Sequence, residues 1–301
     1  MVQATVALRV DVDTHRGLHE GVPRLLELFR QERLAASFFV TMGPDRSGMA
    51  LRRAWRPSFL AKMWRTRALR LYGLSTLLSG TVLPARPVGA GAPALLRQIA
   101  GEGHEVAPHG FDHVGWQDRV HRMSGDRVRE DLAAAARAFE STFGSPPQAS
   151  AAPGWRTTPA ALVIQEDFAY AYASDVRGEA PFRPLVGGEA LKTIQIPTTM
   201  PTVDELVGRT GDLPGALVRS LRSGLNVFTL HAEVEGGPWL GVLRDFLAEA
   251  RRGGAAFVRL CDAAEAARIT ADARPPVPVV RVTVPGRSGW VAAEGPPGGE
   301  G

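Results

Sequence analysis

Apolar positions recur along the chain in two rhythms. Short runs rich in β-branched residues, Val6 to Val12 (VALRVDV) and Ala36 to Met42 (ASFFVTM), read as strands. Between them, Gly21-Val22-Pro23 opens a helix with Leu25, Leu26 and Phe29 on one face, its proline placed where a missing N–H is harmless. Pro93 to Ala100 predicts a second helix, stopped by Gly101-Glu102-Gly103, and His104 to Pro108 a third strand. Ser124 to Phe143 predicts a long helix entered at a polar cap and left at Gly144. Further short strands are expected at Gln148 to Ala152, Ala169 to Ser174, Lys192 to Ile196, Asn226 to Leu230 and Ala255 to Val258, mostly with helical stretches between them. Such alternation predicts an α/β fold with parallel strands, rolled into a barrel or doubly wound.

One stretch breaks this rhythm. Residues 46–88 form a connection far longer than a strand-to-helix link needs. They mix Arg52, Arg53, Lys62, Arg65 and Arg67 with Trp55, Phe59 and Trp64, and no acid occurs between Asp45 and Glu102. That mixture suits an in-plane helix on an anionic membrane, with Arg52, Arg53, Trp55, Lys62, Trp64, Arg65 and Arg67 as contacts. It suits equally a helical insertion packing its apolar face on the domain; nucleic acid is the weaker reading, and no nucleic-acid partner is expected. From Ala273 the chain is rich in Pro and Gly, with one strand expected at Val279 to Val284 and disorder from Glu294 to Gly301. The expected division is therefore a catalytic unit over 1–272, carrying the insertion at 46–88, followed by a terminal segment over 273–301.

Composition adds bounds. The 301 residues are 45% hydrophobic and 22% charged, ordinary for a globular protein. Lys62 and Lys192 are the only lysines, so the net charge of +4 rests on arginine. Cys261 stands alone, which excludes an internal disulfide and favours a reducing compartment. Met1 to Thr5 runs straight into the first strand, leaving no room for a cleaved leader, and no apolar window reaches the roughly 18 residues of a spanning helix. The expected location is cytoplasmic.

Candidate chemistry gathers at strand ends. In Val106 to Trp116 (VAPHGFDHVGW), His109 and His113 lie four apart and can close on one metal ion. Asp11 and Asp13 end the first strand, and carboxylates with imidazoles are the usual donors of a divalent hydrolytic metal. In Ala151 to Arg156 (AAPGWR), Gly154 lets a ligand approach the backbone, and the following N–H groups could hold an oxyanion. Asp175 and His231 end two further strands. Taken singly, each of these is as readily an ordinary turn, cap or structural histidine; together they fall where parallel α/β folds build their sites. His15 stays in reserve beside the acid pair.

The order Asp-x-Asp, His-x-x-x-His, an Arg-bearing strand end, an Asp and Leu-His resembles the polysaccharide deacetylase superfamily. The quoted matches are RVDVDTHRG (Arg9 to Gly17), ASFFVTMGPD (Ala36 to Asp45), GHEVAPHGFDHVGWQ (Gly103 to Gln117), SAAPGWR (Ser150 to Arg156), YASDVRG (Tyr172 to Gly178), LHAEVEG (Leu230 to Gly236) and PGRSGW (Pro285 to Trp290). Asp-x-Asp and Gly-Trp-Arg depart from the wider pattern and favour its formamide branch. The resemblance implies a distorted, incomplete (β/α) barrel and one divalent ion on Asp13, His109 and His113, for which zinc, manganese, cobalt or nickel would suit the donors. It implies Asp11 as general base, His231 as general acid, Arg156 orienting Asp11, Asp175 tuning His231, and Gly154 and Trp155 N–H groups at the oxyanion. The implied substrate is an undecaprenyl-phosphate-linked formamido-arabinose of lipid A modification, met at the inner face of the inner membrane. Rival readings are another carbon–nitrogen hydrolase of the superfamily, or a sugar-lipid binding protein without catalysis.

Overall fold

A computed structural model describes residues 4–49 and 79–296. Strand β1 (Ala4–Val12) is its centre. It pairs in parallel with β9 (Gly224–His231) along one edge, and with β2 (Ser37–Val40) on the C-terminal half of the other. The N-terminal half of that second edge holds β10 (Ala256–Val258). Beyond β2 lies β3 (Glu105–Pro108), also parallel. A second parallel sheet runs β4 (Ala149–Ser150), β5 (Tyr172–Ala173), β8 (Ile194–Gln195), with β6 (Leu185–Val186) and β7 (Glu189–Ala190) as a small hairpin between.

Isolated backbone bonds join the two sheets into a ring. Ala151 N–H donates to Pro108 O at 3.1 Å, and Met200 N–H donates to Val227 O at 3.2 Å. At the second seam Thr199 N–H shares Val227 O at 3.2 Å, and Val227 N–H donates to Thr199 Oγ1 at 2.9 Å. Those two seams, closed by isolated bonds rather than ladders, are the distortion in the barrel. Of the two architectures open to the alternating pattern, the chain adopts the rolled one.

Strand alternation sorts the core into two layers. Val6, Leu8, Val10 and Val12 point outward to pack with Leu25, Phe29, Leu243 and Phe246 of the covering helices. Inward, Ala7, Ala107, Ala149 and Ala151 share the lumen with Phe39, Tyr172 and Ile196. Small residues on the inner face leave room for two large polar-tipped side chains, Arg9 and Trp155, both wholly buried.

The expected helices stand close to their predicted limits. Helix α1 (Val22–Glu32) ends where Arg33 turns left-handed (φ 52°), α2 spans Pro93–Gly101, and the long helix, after the short α3 (His113–Arg119), is α4 (Gly125–Phe143) with Ser124 and Gly144 as its caps. A π-helical turn over Gly17–Gly21, which periodicity does not reveal, feeds α1 and lies against the loop after β9. A Cβ on Gly21 would stand 2.0 Å from Ala232 O, so only glycine fits there.

The C-terminal segment holds two strands rather than one. The strands β11 (Val279–Thr283) and β12 (Trp290–Glu294) form an antiparallel hairpin, and β12 also bonds to Arg177 through its N–H (2.9 Å, to Ala292 O) and carbonyl (2.8 Å, from Glu294 N). Glu294, where disorder was expected to begin, accepts the Glu179 N–H at 2.9 Å; residues 297–301 lie outside the described residues.

Gly21→Ala tests how closely the π-turn seats on the β9 loop. Its clash should lower stability by roughly 1–3 kcal/mol in urea unfolding, against the usual gain from glycine-to-alanine in a helix. Gly101→Ala, where a Cβ meets nothing within 4 Å, should be neutral or slightly stabilising.

Candidate metal centre and hydrolytic site

Register brings the site together. Asp11 is paired with His231 across β1 and β9, and with Phe39 across β1 and β2, while Val40 pairs with Pro108, the residue before His109. Asp13, His109 and His231 therefore leave β1, β3 and β9 at one rim, with β2 between the first two. The loop carrying the two histidines turns at Gly110 (φ 71°) and is held from outside by Asp131 of α4, whose carboxylate accepts the N–H groups of Phe111 and Asp112, each at 3.0 Å. Asp112 then caps α3 by accepting Gly115 N–H at 2.9 Å, which fixes His113 as its first residue.

Asp13 Oδ1 stands 3.4 Å from His109 Nε2 and 3.2 Å from His113 Nε2, and the three donor atoms lie within 4.8 Å of one another. His109 Nδ1 faces Ala151 O at 2.9 Å; a carbonyl only accepts, so that nitrogen carries the proton and Nε2 presents its lone pair to Asp13. His109 Nε2 and Asp13 Oδ1 are buried with no hydrogen-bond partner. Burial, outweighing the pull of Asp11 and Asp13, holds His109 down to about 4, so it is neutral near pH 7. Burial alone would raise Asp13, but the histidines, His113 foremost, keep it well below the carboxylate range. A neutral imidazole and an ionised carboxylate facing one another without a shared proton fit a divalent cation.

Asp11 lies beside the Asp-His-His group, 2% exposed, with Oδ2 3.5 Å from His109 Nε2. Arg9 grips it in bidentate fashion, Nε to Oδ1 at 2.7 Å and Nη2 to Oδ2 at 2.8 Å. The remaining nitrogen, Nη1, donates to the Ser174 carbonyl and to Ser174 Oγ at 3.1 Å. The guanidinium lies between the rings of Phe39 and Trp155, 5.2 and 5.4 Å from their centroids. Arg9 is the site residue that sequence reasoning missed, although alternation puts residues 9, 11 and 13 on one strand face.

Arg156, expected to orient Asp11, does not reach it. Its Nη1 donates to Gln117 O at 2.5 Å, and its guanidinium covers Trp290 of the C-terminal hairpin at 5.2 Å. Asp175 exchanges bonds with Gln195 (N–H to Oε1 at 2.9 Å, Nε2 to Oδ2 at 3.0 Å), and no hydrogen bond joins it to His231. Trp155 N–H already donates to Ala152 O at 3.2 Å in the turn over Pro153–Trp155, which engages it away from an oxyanion and leaves Gly154 (φ 61°) as the open part of that turn. The Trp155 ring sets the site wall instead: it stands edge-on to His231 at 6.2 Å and anchors its Nε1–H on Thr198 Oγ1 at 2.9 Å. Glu235 Oε2 accepts the His231 N–H at 2.7 Å, and burial raises Glu235 to about 8. The membrane-contact candidates Arg52, Arg53, Trp55, Lys62, Trp64, Arg65 and Arg67 lie outside the described residues.

Three similarities bear on this geometry. Residues 2–173 match the polysaccharide deacetylase family. A protein of Shewanella sediminis (strain HAW-EB3), described as a probable 4-deoxy-4-formamido-L-arabinose-phosphoundecaprenol deformylase ArnD, is 35% identical over 292 residues, covering 95% of this chain and 93% of that one. A protein of Wigglesworthia glossinidia brevipalpis with the same description is 31% identical, covering 92% and 97%. In fold, a crystal structure from Mycobacterium smegmatis described as a polysaccharide deacetylase matches at TM-score 0.60 and 20% identity over 94% of this chain and 96% of that one.

The Arg9–Asp11 pair gives a direct test. Arg9→Met strands a buried carboxylate and should cost roughly 3–5 kcal/mol in urea unfolding. Adding Asp11→Asn should restore part of that loss; additive costs in the double-mutant cycle would mean that the pair is not coupled.

Proposed function

The chain belongs to the polysaccharide deacetylase family, and we propose that it hydrolyses the formamide of undecaprenyl-phosphate-linked 4-deoxy-4-formamido-L-arabinose. The products are formate and the lipid-linked amino sugar, a step of lipid A modification associated with polymyxin resistance. The observation that carries this reading is similarity to two deformylases over more than nine-tenths of the chain, with the Asp-His-His cluster intact.

Asp13, His109 and His113 would hold one divalent ion, which supplies Lewis acidity toward water and the amide carbonyl. Zinc, manganese, cobalt and nickel all accept this donor set. Asp11 takes the proton of the attacking water. Arg9 occupies one lone pair on each Asp11 oxygen, so an acceptor position remains and the carboxylate cannot rotate away. His231, across the β1–β9 ladder from Asp11, gives the proton that an amine needs in order to leave. The Gly154 N–H lies on the turn that would receive the oxyanion. Arg156 and Asp175 act as supports of that wall, through Gln117 and Gln195.

Purified protein should release formate from the formamido sugar on a prenyl carrier far faster than acetate from its acetamido analogue. Chelation should abolish release, and added divalent metal should restore it. Asp11→Asn should keep the metal while slowing turnover by roughly 10²-fold or more. Asp13→Asn should lose the metal, read by metal analysis independently of activity. Acetate released as fast as formate would favour the wider deacetylase reading.

A substrate with an undecaprenyl tail is met at a bilayer, and no helix among the described residues is long and apolar enough to cross one. We infer peripheral attachment to the cytoplasmic face of the inner membrane through the basic insertion at 46–88. Each basic residue near an anionic surface adds on the order of 1 kcal/mol, weakened by salt. The quadruple change of Arg52, Arg53, Arg65 and Arg67 to Glu should release the protein from anionic liposomes at low salt. Wild-type protein that ignores such liposomes would exclude this attachment.

A further inference from the structure

We propose that the cleft between His15, Arg16 and Arg86 binds the phosphate of a prenyl-phosphate-linked sugar, with Leu83 and Pro84 receiving the first units of its tail. The inference rests on the functional reading above and gives that site a second, separate anchor.

The cleft shares a chain segment with the metal cluster. His15 follows Asp13 by two residues, so their Cα atoms lie within about 7 Å, the reach of one sugar ring with substituents at both ends. His15, Arg16 and Arg86 line it, and His19 stacks against His15 with ring centroids 4.3 Å apart. Among the described residues the one acid lining it is Asp45, 2% exposed, and both of its oxygens are in use: Oδ2 accepts His15 N–H at 3.0 Å and Oδ1 accepts Ser47 N–H at 2.9 Å. Arg16 is balanced in part by Glu20 at 3.0 Å. Cationic and imidazole groups thus converge on a cleft whose acid is turned inward, the arrangement that suits a phosphodiester monoanion.

The walls are built rather than incidental. Asp45 N–H donates to Arg86 O at 2.7 Å, and Ser79 Oγ donates to Asp45 O at 2.7 Å, which tie the segment around Arg86 to the loop after β2. The second observation is apolar and independent. Among the described residues four large hydrophobic side chains are exposed, and two of them, Val82 at 75% and Leu83 at 41%, adjoin this cleft, with Leu83 and Pro84 in its lining. An anion seat edged by exposed aliphatic residues fits a phosphate that carries a prenyl chain, and fits neither a free sugar nor inorganic phosphate as well.

The test compares two substrates in neutral detergent micelles: the formamido sugar on a short prenyl phosphate, and the same sugar as a phosphate-free methyl glycoside. In His19→Ala/Arg86→Ala the preference in kcat/KM for the phosphate-linked substrate should fall at least about 10-fold, through KM. An unchanged preference overturns the proposal. Farnesyl phosphate should inhibit the wild type competitively and the variant weakly; equal inhibition of both overturns it. Across a series of prenyl phosphates, Val82→Ser/Leu83→Ser should weaken inhibition more as the chain is lengthened, and equal dependence on chain length in variant and wild type removes the apolar half. An effect that arises only with phosphatidylglycerol vesicles present would assign the cleft to the bilayer and overturn the assignment to substrate. If the wild type releases formate from neither substrate, the functional reading fails, and binding of farnesyl phosphate followed by ³¹P NMR still decides the cleft. Weaker binding to the variant than to the wild type supports a prenyl-phosphate seat, and equal or absent binding overturns it.

Discussion

An ion pair inside a narrow barrel is stable only when every donor and acceptor on it is met, because each charge has left water. Arg9 and Asp11 satisfy that condition. Two guanidinium nitrogens take the carboxylate, the third takes Ser174, and aromatic rings close both faces. The arrangement reaches across the lumen from β1 to the end of β5, so the pair also braces the two sheets against each other. Alanines at the inner positions of neighbouring strands are what make space for it.

From that brace the rest of the site follows by register. Arg9 holds Asp11 by both oxygens, which gives the Asp11 and Asp13 carboxylates different surroundings although they are two residues apart. His231 is delivered opposite Asp11 by the longest ladder in the sheet. The different settings of two acids in one short motif therefore come from a neighbour in the same strand, rather than from separation along the chain.

Much of this was legible in the sequence because strand ends announce themselves: an apolar run stops and acids or histidines follow. Asp11, Asp13, His109, His113 and His231 were found that way, and the chain does bring them to one rim. Arg9 was visible but unassigned, since what fixes its role is a carbonyl 165 residues away. Arg156 was assigned by motif order to a carboxylate that another arginine already fills. The C-terminal hairpin was hidden by its composition. Proline and glycine there pointed to one strand and then disorder, whereas Gly286 (φ 90°) lies in the turn and the guanidinium groups of Arg156 and Arg281 lie over the Trp290 ring, at 5.2 and 4.5 Å. Loops and closing seams depend on contacts between distant segments, which local pattern does not encode.

The basic excursion after β2 leaves and rejoins the barrel at nearly the same point. Gly48 N–H donates to Ser79 O at 2.9 Å, and Val88 N–H to Gly43 O at 2.9 Å. A detour whose ends are already tied together closes on itself before it meets the barrel. In loop-closure entropy a change in its length costs little, about 0.6 kcal/mol per doubling. The stretch between those ties can therefore change in length and charge while the strand register that assembles the rim stays as it is.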